Sequence, residues 1–195
     1  YSLTLVFALV ASVSFAATYT YSFADQAFKE SGETVDLGGI EWTATTDAGY
    51  FGFDAKYGKG QQFGSKKKPA TTLTLSTAAF KDKITAITVE TAGASGIKAT
   101  LDVTVGGKAF GKQYTVTTTK TEAEFKGEGT GEIVLSYKNS AQAALYISAI
   151  TVTTLGEGET PQPPVVVTYT DVASVKDLLA NYAKDTKNLN LTLTN

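Results

Sequence analysis

At 195 residues and a formal charge of −2, the chain is long enough for one full domain and a piece of another. It contains no Cys, His, Met or Arg, so all seventeen of its positive charges are Lys. These absences exclude disulfides, thiol nucleophiles, lipid attachment at cysteine and the usual Cys/His zinc sites. They also exclude imidazole proton transfer near neutral pH and the planar fork by which Arg grips phosphate or carboxylate at two points.

The first element in chain order is the apolar run Leu3–Ala11. Ser14 and Ala16 follow as small residues at the spacing a signal peptidase reads, which predicts a signal peptide over residues 1–16 and a cut after Ala16. The run is shorter than the roughly 20 residues a membrane span needs, so no span is expected in the mature chain. With no Met at position 1, the basic start of this leader is expected to lie upstream. Disulfides are common but not obligatory outside the cytosol, so a cysteine-free chain is compatible with export. The predicted location is secreted, at the cell surface or periplasmic.

Residues 17–155 share one texture, rich in Thr, Val, Ile, Tyr and Ala and punctuated by Gly. In Ile97–Val105 the odd positions are apolar and the even ones polar, the mark of a strand with one face in a core. Leu73 and Leu75, Tyr114 and Val116, and Ile133, Leu135 and Tyr137 repeat the pattern. Gly106-Gly107 suits a tight hairpin, because glycine accepts positive φ at little cost. This predicts an all-β fold, a jelly-roll-like β-sandwich of eight to ten short antiparallel strands. A domain of this size buries about two-thirds of its unfolded surface and can stand without disulfide or metal.

One stretch of the module departs from that texture. Residues 49–68 carry the aromatics Tyr50, Phe51, Phe53, Tyr57 and Phe63 among glycines, with Lys56, Lys59, Lys66, Lys67 and Lys68. Aromatic faces stack on sugar rings, and Lys, Gln and Asp bond hydroxyls. The candidate ligand residues are therefore Tyr50, Asp54, Tyr57, Gln61 and Phe63, with Tyr57 the best placed because polar, glycine-flanked chain surrounds it. The competing reading packs the rings on the sheet and leaves the lysines to keep the loop soluble. Trp42 alternates with Ile40 and Ala44 and reads as core.

Chemistry other than binding finds little support. Glu122 and Glu124 fall on one face of one strand, whereas glycosidases need two carboxyls facing across a cleft, so no catalytic residue is assigned. Structural calcium is open in principle through Asp25, Asp47 and Asp54, but nothing has ligand spacing, and no cofactor or metal site is assigned. Residues 17–155 hold fourteen Lys and fourteen Asp or Glu, so no nucleic acid partner is expected despite Lys66–Lys68. The lysine run reads instead as protection of a strand edge.

Residues 156–167 form a Gly/Pro linker. Beyond it Val175, Leu178, Leu179 and Tyr182 lie at helical spacing, and Leu189 and Leu191 alternate like a strand. Residues 168–195 are thus expected to begin a second domain.

Three stretches carry a resemblance: Ser14-Phe15-Ala16-Ala17, Gly39–Ala44, and Lys68-Pro69-Ala70 leading into Leu73-Thr74-Leu75, with Tyr146–Ile150 as a final strand. Together they resemble secreted proteins of Bacteroidetes-type bacteria. The module looks like jelly-roll domains related to galactose-binding and carbohydrate-binding folds, and the segment after the linker like the opening of an OB-type barrel. The resemblance implies a fold and a compartment and carries over no residue. Two readings stay open: a non-catalytic module that binds extracellular glycan, and a spacer that presents further C-terminal domains at the cell surface. Catalysis, on either reading, would belong to parts of the protein further along.

Overall fold

The computed structural model describes residues 16–156. Residues 1–15 of the expected leader, the linker beyond Gly156 and the expected second domain lie outside the described residues.

Among the described residues there are thirteen strands and no helix. They form two antiparallel sheets, a jelly-roll-like sandwich. The first sheet contains β1 (Ala16–Ser22), β4 (Phe51–Asp54), β5 (Gly60–Phe63), β7 (Lys83–Gly93), β11 (Thr121–Gly129) and β13 (Leu145–Leu155). The second contains β2 (Glu33–Asp36), β3 (Glu41–Thr46), β6 (Thr72–Thr77), β8 (Ala99–Val105), β9 (Lys108–Ala109), β10 (Tyr114–Val116) and β12 (Ile133–Asn139). The count exceeds the expected eight to ten because several strands are only two to four residues long, too short for alternation to mark.

Alternation does the sorting where strands are longer. Ala99, Leu101, Val103 and Val105 of β8 are buried, with Thr100, Asp102 and Thr104 half-buried on the other face. Ile133, Leu135 and Tyr137 of β12 stand beside them in register and are buried too. From the opposite sheet come Ile84, Ile87 and Val89 of β7, Phe125 of β11, and Ile150 and Val152 of β13. Trp42 is buried in this core.

The strand that positions the candidate site is β13. One edge pairs with β7 along most of its length. The other edge pairs first with β5, through Leu145–Ile147, and then with β1, through Ala149–Leu155. The register against β7 shifts between Ile147 and Ala149, so Ser148 is a bulge at the point where β5 gives way to β1. The β4–β5 hairpin therefore hangs on the first three residues of β13 and forms that end of the sheet.

Gly60 explains how the hairpin comes so close. Its φ is +78°, and a Cβ there would lie 2.4 Å from the carbonyl oxygen of Ile147. Only glycine satisfies both constraints. The Gly106-Gly107 pair, with φ of +56° and +75°, makes the two-residue turn between β8 and β9.

Candidate functional site

Pleating divides the aromatic segment between two faces. Phe51 pairs with Phe63, and Phe63 with Leu145, all on the core side. Phe63 is fully buried, with its ring centroid 5.8 Å from Phe51 and 5.9 Å from Phe28. It belongs to the core and cannot meet a ligand at the surface, which corrects its place among the candidates. The reason is that burying a phenylalanine ring is worth more than showing it to water. Phe51 and Phe53 are half-buried against the same cluster.

Gln61 is corrected likewise. It lies on the core side, fully buried. Its Oε1 accepts from the N–H groups of Ala27 and Phe28 at 2.9 and 3.0 Å. Its Nε2 donates to the carbonyls of Phe28 and Gly52 at 3.0 and 3.2 Å. The amide thus ties the segment after β1 to the β4–β5 hairpin and has no capacity left for a ligand.

The outward positions make a different group. Tyr50, Gly52 and Asp54 alternate with the core phenylalanines, Gly52 pairs with Gln62, and Gln62 pairs with Tyr146. The Tyr50 ring lies across Gly52, where an added Cβ would stand 2.9 Å from a ring carbon. Tyr50 is 44% exposed, and its carbonyl accepts from Gly64 N–H at 2.8 Å. Tyr146 and Gln62 are half-buried. Burial raises the Tyr146 phenol pKa above the ordinary tyrosine value, and Asp54 and Tyr50 raise it further.

The turn between the strands adds the rest. Asp54 Oδ1 accepts from Tyr57 N–H at 2.9 Å and its carbonyl from Lys59 N–H at 3.1 Å, so Asp54 builds the turn. Tyr57 stands on the turn, 66% exposed, with Lys56 Nζ 5.0 Å from its ring centroid. Lys59 Nζ sits 5.1 Å from the Tyr146 centroid, a cation held over an aromatic face. Of the five residues expected at the site, the structure leaves Tyr50 and Tyr57 exposed, gives Asp54 to the turn, and takes Gln61 and Phe63 inside. Sequence reasoning missed Gln62 and Tyr146. A signal for Gln62 existed: once Phe63 is assigned to the core, alternation sends Gln61 inward and Gln62 outward.

Farther along the same face, Ser148 donates to Glu90 at 2.6 Å and Lys120 pairs with Glu90 at 3.1 Å. Those contacts hold the Glu90 carboxyl below its usual range, the Ser148 hydrogen bond being the largest cause. Glu124 pairs with Lys126 at 2.8 Å. Glu122 and Glu124 are exposed neighbours on β11, the solvated ladder their spacing suggests, although Lys120 reaches across to Glu90.

Asp25 and Asp47 are exposed and lie apart in the chain. Asp47 Oδ1 accepts from the N–H groups of Thr71 and Thr72 at 2.8 and 2.9 Å, and Oδ2 accepts from the Thr71 hydroxyl. Partial burial pushes its carboxyl up, but these hydrogen bonds together outweigh that and hold it below its ordinary value. Among the described residues no three acidic side chains converge on one point.

The second sheet turns a contrasting face to water. A shallow groove of about 740 Å³ runs over Thr72, Lys138, Thr100 and Thr115, with no aromatic ring in its lining. A narrower cleft of about 110 Å³ lies between β1 and the β2–β3 hairpin, where Tyr19 packs edge-on against Phe80.

No family model and no curated protein matches the sequence. Among solved structures, the chain is similar to that of TmCBM61 in complex with beta-1,4-galactotriose. The TM-score is 0.44 at 15% identity, over 57% of this chain and 86% of that one. It is similar to the carbohydrate-binding module CBM36 in complex with calcium and xylotriose, with a TM-score of 0.35 at 16% identity, over 56% of this chain and 98% of that one. A family two carbohydrate esterase from Cellvibrio japonicus gives 0.41 at 13% identity, over 72% of this chain and 34% of the esterase, so the chain spans about a third of that enzyme. Likeness at this level concerns the fold and transfers no residue and no ligand.

Proposed function

We propose that residues 16–156 form a non-catalytic module that binds glycan on the outer face of the first sheet. One observation carries the reading. Tyr50 and Tyr146, far apart in sequence, lie on that face on either side of Gln62, with Lys59 over Tyr146 and exposed Tyr57 on the adjoining turn. A sugar ring offers an apolar face bordered by hydroxyls. Aromatic rings cover such a face, and an amide and an ammonium at their margin bond the hydroxyls. The apolar run at Leu3–Ala11 supports export to a compartment where glycans are met. Among the described residues no helix is long and apolar enough to cross a membrane.

Affinity electrophoresis of the full chain through gels containing a panel of soluble polysaccharides tests the proposal. At least one polysaccharide should retard the wild type. Tyr50→Ala and Tyr146→Ala should each weaken retention by about tenfold, the effect of losing roughly 1.4 kcal/mol of contact. Tyr19→Ala removes a ring of equal exposure, 43%, on β1, and should leave retention unchanged. A wild type that passes the whole panel unretarded, or an equal loss in Tyr19→Ala, would favour the spacer reading.

A further inference from the structure

The described residues contain three ion pairs, which use Lys83, Lys120 and Lys126. None of the five lysines between residues 56 and 68 takes part in one. Over residues 49–70 these five face a single carboxylate, Asp54, whose Oδ1 already accepts from Tyr57 N–H. In a module whose charges cancel overall, this segment therefore carries an excess of positive charge, and Asp47 just before it is already taken up by Thr71 and Thr72.

The positions of these lysines tie the charge to the aromatic face. Lys59 Nζ lies over Tyr146 and Lys56 Nζ over Tyr57. Lys68 runs alongside Gly49, the residue before Tyr50, where an added Cβ would meet its side chain at 3.3 Å. Lys66 and Lys67 sit at the tip of a turn closed by Ser65 N–H to Lys68 carbonyl at 2.8 Å. A neutral sugar stacked on Tyr146 would offer the Lys59 ammonium only uncharged hydroxyls. A sugar bearing a carboxylate or sulfate would give that ammonium a partner and keep the stack.

We infer that the glycan taken by this face is anionic, a polysaccharide carrying carboxylate or sulfate groups, with Lys59 and the Lys66–Lys68 turn as the charge-reading elements. The inference rests on the glycan-binding reading above. Outside residues 49–70 the module carries nine Lys against thirteen Asp or Glu, so its remaining surface is net acidic and confines the attraction for an anionic ligand to this end.

The test compares matched probes on the full chain by affinity electrophoresis or calorimetry. Polygalacturonate against its methyl ester varies the carboxylate on one backbone, and dextran sulfate against dextran varies the sulfate. Double-stranded DNA serves as a polyanion whose bases are already stacked within the duplex. One acidic probe should bind at least about tenfold tighter than its neutral partner in low salt, and raising the salt to about 0.5 M should erase most of the difference, because exposed charges are then screened. Lys59→Gln and the double substitution Lys66→Gln/Lys67→Gln should each lower the acidic-to-neutral ratio severalfold at an unchanged melting temperature. Equal binding of acidic and neutral partners would overturn the inference while leaving the glycan reading intact. DNA bound as tightly as the acidic glycan would also overturn it. Absence of binding to every carbohydrate would remove both.

Discussion

Removing the Gln61 amide would leave the buried N–H groups of Ala27 and Phe28 without their acceptor. Each stranded group costs about 1–3 kcal/mol, so Gln61→Ala should destabilise the module by roughly 3 kcal/mol in urea unfolding. Gln62→Ala, one residue on and facing out, loses one hydrogen bond, from Nε2 to the Gly64 carbonyl at 2.8 Å, and should cost about 1 kcal/mol and act on glycan retention instead. Equal losses of stability would refute this division. Two adjacent glutamines are indistinguishable by composition, so a loop reading could not separate their roles; only the pleat does, and the pleat depends on Phe63 being core. Tyr146 was illegible for another reason. Its place beside Tyr50 comes from pairing between strands that lie far apart in the sequence, which no local pattern encodes. Carboxylates set a further expectation at this scale. Asp47 and Glu90 are held below their ordinary values of 3.8 and 4.5. Groups depressed in the folded state stabilise it above those values, and that contribution is lost as pH falls through the folded pKa. The melting temperature should therefore drop on acidification below about pH 4.5, and more shallowly in Asp47→Asn. An identical acid limb in that variant would contradict the assignment.

The β4–β5 hairpin is the element on which the site depends. Its glycines separate two kinds of constraint. Gly58 has a φ of +62° with open space where a Cβ would go, so Gly58→Ala meets backbone strain alone, about 1–2 kcal/mol. Gly60 adds a collision with the Ile147 carbonyl. Gly60→Ala should cost distinctly more, on the order of 3 kcal/mol or above, and should loosen the hairpin from β13. Hydrogen exchange of β5 amides would report that loosening, and protection equal to that of Gly58→Ala would count against it. Longer strands such as β8 and β12 were legible, because several alternations accumulate before a turn. In β4 and β5 four residues each give two alternations at most, and Gly52 and Gly60 break even those, so the segment read as an aromatic loop.

At the scale of the molecule, the two faces of the sandwich divide what each sheet can bind. The second sheet presents Thr and Lys over its groove and has no ring there for a sugar to stack on. Among the described residues the exposed rings Tyr50 and Tyr57 lie at the β4–β5 end of the first sheet, and Tyr19 lies on β1. The first and last described strands lie side by side, with Ala16 and Leu155 as register partners. We expect N-terminal sequencing of exported protein to begin at or near Ala17; protein still carrying Tyr1 would contradict a leader over residues 1–16. Where a sugar lands distinguishes the two faces. The direct measurement is an NMR titration of the full chain, with tyrosine rings labelled, against a short oligosaccharide of whichever polysaccharide retards it. Ring signals of Tyr50, Tyr57 and Tyr146 should shift with one common affinity, while buried Tyr137 and distant Tyr19 stay still. Shifts confined to Tyr19, or to backbone signals of the threonine face on the second sheet, would contradict it.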